Sequence, residues 1–134
     1  MVRVYLSGGM NSEWQEDVMK ICPKHRYFNP KVSGHKLPSH YKVWDIFYVK
    51  ESDIVFAYME KTNPSGYGLA CEIGYAKALG KTVVLVDEKQ ESDAEFSRYF
   101  AIVRELADVV FENLDDGVRF LNTFDFCSLQ AIGV

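Results

Sequence analysis

The sequence predicts a three-layer α/β fold around a five-stranded parallel sheet, and three observations carry that expectation. Short apolar runs alternate with longer stretches of helical periodicity. The apolar runs are close to continuous, the pattern of strands covered on both faces. The connections are short and marked by Gly, Pro, Asn and Ser. With 134 residues, 48% of them hydrophobic and 14% aromatic, the chain reads as one domain, 1–134, able to bury roughly two thirds of its unfolded surface.

Residues 2–7 form the first strand, ended by Ser7-Gly8-Gly9-Met10-Asn11. Ser12 is expected to cap the helix that follows, with Glu13, Glu16 and Asp17 in its opening turns. Trp14, Val18, Met19 and Ile21 would supply its buried face, and Pro23 stops it. Residues 26–29 make a short second strand cut by Pro30, and residues 31–40 read as a polar loop. A helix over 41–51 should bury Trp44, Phe47 and Tyr48. The third strand covers 54–58. Asn63-Pro64-Ser65-Gly66 then turns the chain, Pro64 holding Asn63 extended. In the next helix Leu69, Ile73 and Ala76 share one apolar arc at about 100° per residue. Residues 82–86 are the fourth strand, 87–93 a charged loop, 96–106 a helix, 109–111 the fifth strand and 115–123 a last helix. No element is assigned to the mixed stretch that follows.

Right-handed crossovers and five strands give the order 2-1-3-4-5, a flavodoxin/Rossmann-like arrangement. The chain reverses between strands one and three, so a ligand crevice is expected at their carboxyl ends, where loops 7–11 and 59–68 enter.

Composition removes several functions. A net charge of −4 and a pI of about 5.3, with scattered Lys and Arg, argue against a nucleic acid polymer as partner. A small anionic ligand held by backbone amides stays open. Cys22, Cys71 and Cys127 follow no metal spacing, and His25, His35 and His40 have none with Asp or Glu, so no metal is expected. Neither a charged-then-apolar leader nor an apolar run approaching 18 residues is seen, which points to a soluble, cytoplasmic protein without membrane contact.

Three polar residues sit where packing alone does not ask for them. Glu72 falls at the edge of its helix's apolar arc, shielded by Leu69, Ala76 and Leu79 near the helix N-terminus. There the dipole favours the carboxylate and burial opposes it. The bland alternative is an acid paired with a basic neighbour. Asp45 lies within an almost wholly apolar stretch, 43–49; otherwise it is a surface acid bonded to Lys42 or Lys50. Tyr5 is on the first strand, where an aromatic is as readily core packing. Around the crevice, Ser7, Gly8, Gly9 and Asn11 could hold a 5′-hydroxyl or 5′-phosphate, and Ser65, Gly66 and Gly68 open the second loop's helix. Trp14 and the corner Phe28-Asn29-Pro30 could flank a base, or be structural. Gly-x-Gly-x-x-Gly and Gly-Lys-Ser/Thr patterns are missing from these loops, so dinucleotide and P-loop readings fall away.

The run Gly68-x-x-x-Glu72-Ile73-Gly74-Tyr75-Ala76, then Gly80-Lys81 and an apolar strand, together with Asp45 eight residues before Asp53 and Tyr5 on the first strand, resembles the nucleoside 2-deoxyribosyltransferase family and its related nucleotide N-glycoside hydrolases. The resemblance covers most of the first 90 residues. It implies cleavage of the N-glycosidic bond of a (2′-deoxy)nucleoside or nucleotide, with transfer to another base or to water. It implies Glu72 as nucleophile, Tyr5 positioning it, and Asp45 either assisting the departing base or holding a sugar hydroxyl. It implies no cofactor, and a homodimer or higher homo-oligomer in which a neighbouring chain completes the site. One departure stands out: some deoxyribosyltransferases carry an Asp six residues before the Glu, and here that position is Gly66. The rival reading is a non-catalytic nucleotide-binding sensor using the same crevice; a flavin-binding domain has only topology behind it.

Overall fold

The computed structural model describes residues 1–124. In chain order the elements are β1 (Arg3–Gly8), α1 (Trp14–Ile21), β2 (Arg26–Phe28), a 3₁₀ turn (Pro30–Ser33), α2 (Pro38–Glu51), β3 (Ile54–Met59), α3 (Tyr67–Ala78), β4 (Thr82–Asp87), α4 (Ala94–Tyr99), α5 (Ala101–Leu106), β5 (Val109–Phe111) and α6 (Leu114–Leu121). The five strands are all parallel and lie in the order β2-β1-β3-β4-β5. This is the expected three-layer arrangement. Every residue of β3 is buried, as its unbroken apolar run requires of a central strand.

Side chains alternate between the two faces of each strand, and the two cores follow from that period. On one face Val4, Leu6, Phe56, Val84 and Val86 meet Trp14 and Val18 of α1 and Val118 and Leu121 of α6. On the other, Tyr5, Val55, Ala57, Met59, Val83 and Leu85 meet α2, α3 and α5 through Tyr48, Val49, Leu69, Ile73, Ala76 and Val103. Ser7, two residues after Tyr5, shares the second face and is fully buried there.

Several local expectations are corrected. Ser12 does not cap α1: its hydroxyl donates to Glu60 Oε2 at 2.9 Å, and Glu13 occupies the cap position without a side-chain bond. Ile21 is exposed, and the buried face of α1 is Trp14, Gln15 and Val18. Residues 31–40 are not all loop. Asn29 caps the 3₁₀ turn, and α2 begins at Pro38, whose missing N–H costs nothing in a first helical turn. Only Tyr48 and Val49 of α2 are buried, while Trp44 and Phe47 are 42% and 48% exposed. The helix expected over 96–106 is two short ones that meet at Phe100. Leu79, expected to shield Glu72, is exposed. Cys127 and residues 125–134 lie outside the described residues.

Candidate active site

Three elements converge at the carboxyl end of β1. The first is β1 itself, which can leave the sheet only through a glycine. A Cβ at Gly8 would stand 2.6 Å from the Tyr58 carbonyl oxygen and 2.9 Å from the Trp14 ring. The second is α3, entered through Gly66 in the left-handed conformation (φ 74°), which places Glu72 in the second turn of the helix. The third is α2, which carries Asp45.

Glu72 is held at both oxygens. The Tyr5 hydroxyl donates to Oε2 at 2.9 Å and the Ser7 hydroxyl donates to Oε1 at 2.6 Å. Both donors are essentially inaccessible, Tyr5 at 1% exposure and Ser7 at 0%. The Asp45 carboxyl lies within interaction range of both Glu72 and the Tyr5 hydroxyl. Burial pushes the Glu72 carboxyl up to about 7; the charge of Asp45 pushes the same way, and the bonds from Ser7 and Tyr5 oppose it. Asp45 is also raised by burial, against the pull of its contacts with Glu72 and Tyr5. Tyr5 is driven well above its ordinary value by burial and then by the two acids, so it stays a donor. Two neighbouring, partly buried carboxyls do not both ionise cheaply, and the pair keeps a proton into the neutral range.

These groups line a cavity of about 470 Å³, within the range that holds a nucleoside-sized ligand. Tyr5, Gly8, Asp45, Gly68 and Glu72 are in its wall. So are Lys31, His35, Lys36 and Tyr41, which sequence reasoning did not single out. Their signal was present: two lysines and two histidines fall within residues 31–40, the stretch read only as a loop. Lys31 Nζ also bonds the Ser12 carbonyl and lies 3.3 Å from Glu16 Oε2.

The remaining expected site residues go elsewhere. Ser7 is turned onto Glu72. Gly9 and Asn11 line a small separate cavity with Glu60 and Asn63. Ser65 and Gly66 line a third, of about 430 Å³, beside Tyr67, Phe96 and Phe100. At Gly66, where some deoxyribosyltransferases have Asp, the backbone is left-handed (φ 74°), which strains any side chain, and a Cβ would also displace the end of Met59, whose Sδ lies 2.7 Å away. Asn29 accepts from the Lys31 N–H through Oδ1 at 3.1 Å. Trp14 is buried against Phe56 and Tyr58, its ring N–H donating to the Gly9 carbonyl. Among the described residues no group of three or more His, Cys, Asp or Glu could hold a metal ion, and no helix is long and apolar enough to cross a membrane.

No family model matches the sequence, and no curated protein matches it. Solved structures do match its fold. A conserved protein from Enterococcus faecalis V583 is 19% identical and superposes with a TM-score of 0.65 over 89% of this chain and 96% of its own. The CMP N-glycosidase BcmB of Clostridium botulinum is 20% identical, with a TM-score of 0.60 over 90% of this chain and 97% of its own. This chain therefore shares its fold with a CMP N-glycosidase.

Proposed function

We propose that this protein cleaves the N-glycosidic bond of a (2′-deoxy)nucleoside or nucleotide, with Glu72 as nucleophile. The observation that carries the reading is a carboxyl held by two buried hydroxyls beside a second acid, with no cation bonded to it among the described residues, in the wall of a nucleoside-sized cavity. Glu72 attacks the anomeric carbon as the carbon–nitrogen bond breaks. The bonding pair leaves with the base, which takes the proton from Asp45. Water, or the N–H of a second base, then opens the glycosyl ester, and the proton it releases returns to Asp45. Tyr5 holds Glu72 in line throughout. The CMP N-glycosidase among the structural neighbours supports hydrolysis over transfer. Lys31 and Lys36 in the same cavity support an anionic substrate. The exposed Val43, Trp44, Ile46 and Phe47 of α2 offer apolar surface that a second copy of the chain would cover, beside Asp45.

The test is chromatographic: free-base release from ribo- and deoxynucleosides and their 5′-monophosphates, with and without an acceptor base, beside Glu72→Ala. Release that disappears in the variant supports the reading, and dependence on the acceptor separates transferase from hydrolase. Binding of nucleotides without release of any base would instead make the crevice a sensor's.

A further inference from the structure

Ser7 is a buried hydroxyl with no task in the chemistry above. Its position is built: β1 pairs Ser7 with Ala57 of β3, and the strand's period puts it on the face of Tyr5. From there it donates to Glu72 Oε1 at 2.6 Å, while Tyr5 donates to Oε2 at 2.9 Å. A carboxyl that accepts a hydroxyl on each oxygen is matched in its ionised form. Protonation puts a hydrogen on one of those oxygens and sets it against the donor already there. Tyr5 has one proton to give and gives it to Glu72. With both hydroxyls donating to Glu72, the arrangement favours Asp45 as the proton-bearing partner.

We propose that Ser7 is a positioning residue that, with Tyr5, biases the one proton shared by the carboxylate pair toward Asp45. The inference rests on the reading of Glu72 as nucleophile and Asp45 as acid, since only that division needs the proton on Asp45. The Ser7 and Tyr5 bonds pull the Glu72 carboxyl downward, whereas burial and Asp45, through its charge and its bond to Glu72, push it up, so the two hydroxyls are the groups that oppose a proton on Glu72. The other groups that bear on the pair are Tyr41 and Tyr48 from α2, with Lys31, His35 and Lys36 from the segment between β2 and α2. Lys31 is engaged by Glu16 and the Ser12 carbonyl.

The test is a pH titration of ¹³C-labelled side-chain carboxyls followed by NMR in the wild type, Ser7→Ala and Ser7→Cys. In Ser7→Ala the Glu72 carbon moves toward its protonated position near pH 7 and the Asp45 carbon toward its ionised one. The Glu72 midpoint rises by about one pH unit, a tenfold gain in proton affinity. Ser7→Cys keeps the volume with a weaker donor, gives a smaller shift in the same direction, and serves if the alanine variant is too unstable to titrate. With a 5′-monophosphate substrate, Ser7→Ala lowers kcat about tenfold, leaves KM within about twofold and carries activity to higher pH. Carboxyls that do not move, or a Glu72 that moves toward its ionised position, overturn the proposal. The titration needs no turnover, so a wild type that releases no base sinks the glycosidic reading and leaves this result standing.

Discussion

Asp87 and Glu72 are both acids at the carboxyl edge of the same sheet, Asp87 buried and Glu72 partly buried, and their surroundings differ in kind. Asp87 ends β4 at 1% exposure; its Oδ2 accepts from Arg104 Nη1 at 3.1 Å and its Oδ1 from the Lys89 N–H at 3.0 Å. The guanidinium comes from α5 and also donates to the Ser97 carbonyl, so Asp87 ties that helix layer to the sheet. Glu72 has hydroxyls and another acid in place of a guanidinium. A buried charge that is paired costs little to keep, whereas one left to hydroxyls keeps part of its proton affinity and its reactivity. Among the described residues, a bonded cation is what distinguishes Asp87 from Glu72 along this sheet edge.

The largest expected effect breaks the comparison on the chemical side: Glu72→Ala lowers base release by about a thousandfold or more, while its far-UV circular dichroism is unchanged. On the structural side, Arg104→Ala leaves Asp87 buried without its partner and destabilises the fold by about 3–5 kcal/mol in urea denaturation, with turnover per folded molecule preserved. A crossed experiment sharpens the distinction. The Glu72 carboxyl is raised from 4.5 to about 7 on folding, so its contribution to stability is present below about pH 4.5 and is lost as pH rises through about 7. Glu72→Gln is therefore expected to stabilise the protein by about 2–3 kcal/mol at pH 8 and to change little at pH 4, read as the shift in urea midpoint. The same proton shapes activity. A pair that must hold one proton loses turnover above about pH 7 and again at acid pH, where Asp45 and Glu72 are both protonated, giving a bell-shaped kcat profile. Tyr5→Phe has the smallest effect, a loss of about tenfold in kcat with KM held, because Ser7 still grips the other oxygen.

Much of this was legible in the sequence, for physical reasons that can be named. Unbroken apolar runs such as residues 54–58 can only be strands covered on both sides, and parallel strands with right-handed crossovers leave few orders open. Glu72 was legible because its helix has one apolar arc and the acid lies at its edge. The aromatic face of α2 was not. Periodicity says that Trp44, Phe47 and Tyr48 lie together, but not that the helix touches the sheet only near Tyr48 and Val49. Trp44 and Phe47 instead pack on one another and on Tyr48. Ser7 was noted as part of a Gly-bearing loop, whereas the strand's period sets it on the face of Tyr5, and what it meets there, Glu72 of α3, depends on how the helix packs on the sheet. Asn29 and Trp14 illustrate the converse. Each looked like a wall of the crevice, and each is consumed locally, Asn29 as a helix cap and Trp14 as core.

The chain's two tryptophans have ended up in opposite environments, Trp14 at 3% exposure and Trp44 at 42%. That contrast gives the molecule two built-in optical probes. Trp14, pinned by the Gly9 carbonyl and edged against Tyr58 at 5.2 Å between ring centroids, emits as a buried indole and reports loss of the core. Trp44 adjoins Asp45 in sequence and stacks on His35 at 6.3 Å, and His35 lines the candidate active site. A ligand that displaces His35 alters the quenching of Trp44 while leaving the emission of Trp14 in place, so occupancy and unfolding can be followed in one cuvette without a label.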